Sequence, residues 1–542
     1  MPINNSLAEK KTTRRQGGRF LSGVAILTVS TAIVKVIGLL YKIPMIKVLG
    51  EEGMGYFNSA YELYTFFYII ATAGLPVAIS IMVAKSLEKG NVENVKKIYR
   101  VVFTLLFLIG IMGAAVLYYG ADLFGELIGN TEAAPCIAAI APMALFICIS
   151  SAARGFFQGH QNMMPTAVSQ VVEALGKLFL GLLLAVWAIR SGYGIPEAAA
   201  FATVGITAGV GLSMLYLLLA KLFVSQKSIP TESAGEKESS GKILSGLVKI
   251  AIPITLSALV MSLTRVVDLF MIMHRLQAIG YTMGAANTIY GSYSTLAVSM
   301  YNLPGAFVTP IAISLVPILT ADKRREKRIL NSSMRLCGLI TIPASLGLSI
   351  FSRPILELVF AGETSAINVA APLLSVLGIS VFFSSLMTVT NSVLQAYGME
   401  RKPIISMFLG AAVKTLFSYL LIGIPEINIY GAPISTLICT ATVVGINLYY
   451  IRRATGELDS AIALFIRPTL AASLSIGAVG VIYYFAAAWI GKSFLLTLAS
   501  IGFAVIAYGV SSLKMKAIVS EDIMLLPMGD KIEKLLRKVK LL

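Results

Sequence analysis

The sequence predicts an all-α polytopic membrane protein of about fourteen transmembrane helices. Hydrophobic residues fill 57% of its 542 positions and charged residues 13%, about half the charged share of an ordinary soluble domain. Mean hydropathy is +0.82. Apolar runs of the roughly 20 residues needed to cross hydrocarbon recur along the whole chain, and Lys and Arg gather in alternate connections between them.

The first span, 21–48, follows "MPINNSLAEKKTTRRQGGRF", a basic N-terminal tail over 1–20. That stretch is too long and polar for a cleavable signal, and the apolar run after it is too long for an h-region, so it is a retained span. The second, 56–84, runs into a loop holding Lys85, Lys89, Lys96, Lys97 and Arg100. Spans three to six follow at 99–119, 135–157, 163–188 and 198–222, completing an N-terminal lobe over 21–224. "SQKSIPTESAGEKESSGK" (225–242), rich in Ser, Gly, Glu and Lys, reads as a flexible linker.

Spans seven to twelve, at 243–274, 283–320, 329–350, 368–397, 403–424 and 430–451, make a C-terminal lobe over 243–453. The basic run "DKRREKR" (322–328) follows span eight. Two more spans, 462–488 and 491–513, lie in 454–513. The tail, 514–542, ends in "GDKIEKLLRKVKLL", where Ile532, Leu535, Leu536, Val539 and Leu542 recur at helical spacing among basic residues. It reads as an amphipathic helix on the inner leaflet, or docked on the protein's own cytoplasmic face.

The net charge of +17 is a matter of topology, not of nucleic acid. Connections between the basic loops hold Lys47, Arg190, Arg275, Arg353 and Lys492, one in each of five. This bias places both termini and the 225–242 linker in the cytoplasm, with an even span count. The basic loops also meet anionic headgroups.

Enzymatic chemistry finds no purchase. Cys136, Cys148, Cys337 and Cys439 are scattered through apolar runs without metal or disulfide spacing. His160 and His274 have no partner at ligand spacing. "GAAVKT" (410–415) lacks the ending of a phosphate loop and sits inside a span. No cofactor and no metal is expected; transport, a channel or a structural membrane role remains.

An internal repeat favours transport. "PVAIS" (76–80) returns as "PIAIS" (310–314), and Gln158 and Lys177 return as Gln395 and Lys414. Matches at nearly one offset, in corresponding spans, indicate two six-span halves in parallel orientation. The last two spans have no partner in the repeat.

The intramembrane charges are then few and placeable. Span one holds Lys35 and Lys42, seven residues apart and so close to one helix face. A charge at bilayer depth costs about 2.5–3.5 kcal/mol on insertion scales, so this stripe is expected to face a hydrated cavity rather than lipid. For Lys42 snorkelling to a surface stays open. Glu62 lies in span two, Glu173 and Lys177 in span five, Arg265 and Asp268 in span seven, Lys414 in span eleven. The pairs Glu173/Lys177 and Arg265/Asp268 share helix faces, so each either neutralises itself or serves a substrate. Arg154, at the inner end of span four, is expected to touch loops and lipid headgroups. Helix breakers at "KIP" (42–44), "GLP" (74–76) and "NLPG" (302–305) are expected to bend the backbone around the cavity.

"STAIVKVIGLLYKIPMIKVLGEEGMGYFNSAYELY" and "ARGFFQGHQNMMPTAVSQVVE" (153–173) resemble the polysaccharide exporter branch of the multidrug/oligosaccharidyl-lipid/polysaccharide (MOP) flippase superfamily. The likeness is to the Gram-positive group of MurJ and stage V sporulation protein B. It implies two six-helix lobes in a V with a central cavity, two extra helices, and flipping of undecaprenyl-diphosphate-linked sugars, lipid II in the MurJ case. Lys35–Val36–Ile37–Gly38 matches the family's first-helix basic pattern, which makes Lys35 a substrate contact; Lys42 meets a second basic position approximately, and Arg265 supplies the other lobe's cation. "TFFYIIATAGLP" (65–76) lacks the basic residue that the Gram-negative type carries late in span two.

The expected substrate contacts are thus Lys35, Lys42, Arg265, Lys177, Lys414 and Glu62, with Asp268 as candidate site for a coupling H+ or Na+. With no ATP motif, the drive is an ion gradient, the membrane potential or the substrate gradient. The alternatives are a cation-coupled multidrug exporter of the same superfamily, an exporter of another lipid-linked oligosaccharide, and a structural protein of sporulation or division.

Overall fold

A computed structural model describes residues 3–225, 238–309, 312, 319, 326–456, 462–491 and 493–518. These are helical almost throughout, and no strand occurs among them. Most of the predicted linker, much of "PIAIS" and "DKRREKR", and the amphipathic segment 529–542 lie outside the described residues.

Twelve helical stretches among the described residues are long and apolar enough to cross a membrane. The first, Val29–Glu88, holds what the sequence suggests are spans one and two. Span eight, predicted over 283–320, lies partly outside the described residues, so fourteen remains the sequence's expectation. Contacts divide the chain into two compact units, Met1–Met273 and His274–Leu542.

The first unit opens with α1 (Ile3–Thr72), whose helix already includes the basic N-terminal stretch. "KIP" does not break it: Pro44 sits inside the helix, and the break falls at Gly50, with φ 68° and ψ −177°. That conformation is open essentially to glycine alone. The chain breaks again before α2 (Leu75–Glu88), where Pro76 stands at the helix start and Gly74 packs on the backbone of Ala251. Asn91 caps α3 (Val92–Tyr119) by accepting from the backbone N–H of Asn94 at 2.9 Å, satisfying a donor that would otherwise be orphaned.

After the short α4 (Ala121–Ile128), α5 (Ala134–Ile140) and α6 (Pro142–Gly159) continue one another across Ala141–Pro142. Next come α7 (Met164–Arg190) and α8 (Ile195–Ser225), which pack along much of their length. Their contact is a seam of small residues. A Cβ on Gly205 would overlap the backbone of Gly181, and one on Gly209 would press on Gly176 and Lys177. Small-residue seams are how membrane helices approach closely, since association there depends on packing rather than on hydrophobicity. α1 packs on both α7 and α8, so the seam fixes which face of α7 meets α1. α9 (Ser240–Ala278) carries Arg265 and Asp268.

In the second unit, α10 (Met283–Ser292) passes through a π-helical turn, Tyr293–Ala297, into α11 (Val298–Asn302), which ends at Leu303–Pro304. α12 (Glu326–Ile350), the short α13 (Ser352–Val359), α14 (Thr364–Ala396), α15 (Arg401–Ile422) and α16 (Gly431–Thr455) follow. α14 packs on α12 and α16, and α15 on α16. α17 (Arg467–Ile490) and α18 (Phe494–Lys514) pair with each other. Buried Phe351, Ile476, Val479 and Tyr483 join this pair to the unit.

Candidate functional site in the first unit

The first arm of α1 sets Thr31, Lys35, Gly38 and Lys42 at intervals of three or four residues, one stripe of a helix. These four line a cavity of about 340 Å³, closed by Phe57, Tyr61 and Tyr68 of the second arm and by Gln170, Glu173 and Lys177 of α7. A Cβ at Gly38 would meet nothing within 4 Å. Lys35 and Lys42 therefore do share a face, and that face looks into a cavity within this unit.

A buried ionic network stands at the α7 wall. Glu173 is 6% exposed, and its two carboxylate oxygens go to different cations. Oε1 accepts from Lys177 Nζ at 2.8 Å and Oε2 from Arg154 Nη2 at 3.1 Å. The Tyr64 hydroxyl accepts from Lys177 at 3.0 Å and reaches Oε1 at 3.3 Å. Arg154 also donates to Ser169 at 3.2 Å, Ser213 at 3.3 Å and Tyr68 at 3.4 Å. One acid thus stabilises two cations inside the protein, where charges persist only when paired and hydrogen-bonded.

This corrects one expectation. Arg154 is 4% exposed, so its guanidinium serves Glu173 and three hydroxyls rather than lipid headgroups. The helix end on which it sits is covered by α7 and α8, which a reading of α6 alone does not reveal. Glu173 and Lys177 neutralise each other in part, as their spacing allows, yet both also face the cavity.

Arg265, exposed on α9, interacts electrostatically with both Lys35 and Lys42, and Glu62 with Lys42. Neither Arg265 nor Glu62 lines the cavity. Asp268 is half-buried, one turn from Arg265. Lys414 lies in the second unit, 7% exposed on α15. Sequence reasoning missed the aromatic wall. Phe57, Tyr61, Tyr64 and Tyr68 form an unbroken ladder, with ring centroids 6.0, 5.3 and 5.5 Å apart in turn. Its helical spacing in "FNSAYELYTFFY" was the available signal.

A family profile described as "Polysaccharide biosynthesis protein" matches residues 20–323, more than half of the chain. The chain belongs to the polysaccharide biosynthesis protein family. A second profile, MatE, matches residues 320–420, and the chain as a whole is a multi-pass membrane protein of the MOP superfamily. Among its relatives, the uncharacterized membrane protein YabM of Bacillus subtilis (strain 168) is 28% identical over 531 residues, spanning 95% of this chain and 96% of that protein. Lipid II flippase MurJ of the same organism is 28% identical over 446 residues, 77% of this chain and 80% of that protein. A solved structure of lipid II flippase MurJ, in an inward closed conformation, superposes with a TM-score of 0.69 over 90% of this chain and 98% of that one. At 15% identity that likeness speaks for the fold alone. The MurJ/MATE-like helical fold expected from the sequence is thereby shown.

Proposed function

We propose that this family member flips an undecaprenyl-diphosphate-linked sugar, lipid II in the first instance, from the inner to the outer leaflet for cell-wall synthesis. The observation that carries the reading is the charge of the cavity. Three lysines, Lys35, Lys42 and Lys177, face one carboxylate, Glu173. A lipid-linked diphosphate brings at least two negative charges and a sugar that cannot cross hydrocarbon unaided. A hydrated cationic cavity gives the phosphates a partner in place of water. Lys35 and Lys42, part of one exposed-to-half-buried stripe, are the leading contacts, with the Arg265 charge behind both and the Glu62 charge beside Lys42. The relationship to MurJ supports the choice of cargo.

The MatE match supports a second reading, export of an organic cation, and the tyrosine wall could stack on such a ligand. The surplus of lysines weighs against it, because a cation would enter against repulsion.

One experiment decides between them: expressing the chain in cells depleted of their own lipid II flippase, beside Lys35→Gln. Each charge-assisted phosphate contact is worth roughly 1.5–3 kcal/mol. Rescue by wild type, with loss of about ten- to a hundredfold in lipid II affinity for Lys35→Gln, is the expected result. No rescue, together with gradient-driven export of organic cations from vesicles, would overturn the proposal.

A further inference from the structure

We propose that Glu173 is a resident counter-anion occupying the phosphate position on Lys177, and that the entering headgroup displaces it while Arg154 keeps hold of it. This inference rests on the diphosphate reading and names a residue that controls how tightly the cargo is held.

The geometry separates the two ends of the carboxylate. Oε1 is bound to Lys177 and reached by Tyr64; Oε2 is bound to Arg154. Glu173 and Lys177 line the cavity and Arg154 does not. A phosphate oxygen that takes the Lys177 ammonium therefore replaces one contact of Glu173 and leaves the other intact. Without Arg154 the same displacement would strand a carboxylate that is 6% exposed, and a buried charge without a partner is costly. Arg154 is in this sense a positioning residue: it makes the exchange at Lys177 reversible.

The duplicated half provides an internal comparison. Lys414 stands 237 positions after Lys177, and at the same offset Arg154 corresponds to Asn391 and Glu173 to Gly410. The frame around them persists. Ser169 and its counterpart Ser406 are both fully buried. The contact with the next helix is made from a different position: Arg154 donates to Ser213 of α8, whose counterpart is Tyr450, whereas Asn391 accepts from Asn447 of α16 at 2.7 Å. A side chain at 410 would run into Val443, leaving no room for an acid. The lysine is thus present in both halves, whereas the arginine and the glutamate are present together in one and replaced together in the other. Arg154 and Glu173 behave as a pair that serves Lys177 of the first unit.

The proposal predicts changes of opposite sign in full-length protein in nanodiscs, with undecaprenyl diphosphate as the probe. Glu173→Gln removes the competitor and should tighten binding about tenfold, while slowing release and so lowering turnover. Arg154→Gln leaves Glu173 wholly to Lys177 and should weaken binding by a similar factor. The double variant Arg154→Gln/Glu173→Gln removes one charge of each sign and should bind as Glu173→Gln does. Should Glu173→Gln fail to fold, the double variant and Glu173→Asp, which keeps the charge but draws back from Lys177, carry the test; both should still bind more tightly than wild type. Weaker or unchanged binding by folded Glu173→Gln, or by these substitutes, overturns the inference provided Lys35→Gln still weakens the wild-type interaction. If Lys35→Gln has no effect either, the diphosphate reading itself has failed.

Discussion

Replacing Arg154 by methionine removes a guanidinium that is 4% exposed and engaged with four partners, Glu173, Ser169, Ser213 and Tyr68. Breaking one side of a buried ion pair costs about 3–5 kcal/mol. The lower end applies because Glu173 keeps Lys177 at 2.8 Å and Tyr64 at 3.3 Å. Ser169 also retains its bond to the Thr166 carbonyl at 2.7 Å. Arg154→Met should therefore destabilise the first unit by about 3 kcal/mol. At ~2 °C per kcal/mol for a unit of this size, that is a fall of about 6 °C in melting temperature. Intrinsic-fluorescence melting in detergent reads it directly. A cycle with Glu173→Gln sharpens the test: the two losses should be non-additive by about 2 kcal/mol, because the second substitution removes a charge that has already lost one of its two cations. A melting temperature within 1 °C of wild type, or strict additivity, would show that the network adds nothing to stability and refute the reasoning.

Asp268→Asn should leave lipid binding intact and weaken the response to an imposed ion gradient in proteoliposomes; transport that tracks the gradient as wild type does would make Asp268 a structural residue only. Gly50→Ala should cost about 1–3 kcal/mol, since Gly50 holds φ 68° and ψ −177°, and an unchanged melting temperature would show that the two arms of α1 join in some other way. A cysteine in place of Lys89, exposed at the turn after α2, should react with an impermeant maleimide only in inverted vesicles, as the alternation of basic loops requires. Labelling from outside intact cells would overturn the orientation assigned to both termini.

The sequence alone determined what local physics determines. Hydrophobic runs long enough to span a bilayer are written consecutively, so the helical, polytopic class and the approximate span limits needed no tertiary information. The stripe of Lys35 and Lys42 was legible for the same reason: a spacing of seven on one helix carries its own geometry, and both residues line one cavity. The likeness of 153–173 to a flippase group was legible too, and the family profile over 20–323 bears it out.

Other features required the fold. Whether Pro44 or Gly50 interrupts α1 turns on the backbone each adopts: Pro44 is carried within the helix, and Gly50 takes a conformation that other residues avoid. The aromatic ladder is regular in sequence, but its facing a lysine stripe depends on how α1 folds back at Gly50. Arg154 is the clearest case. It lies 19 residues from Glu173 and 59 from Ser213, intervals that no helical period relates. Only the packing of α6, α7 and α8, set by the glycine seam at 176, 181, 205 and 209, turns an apparent headgroup contact into a buried ion pair. Periodicity tells which residues share a face, and the neighbouring helices decide what that face meets.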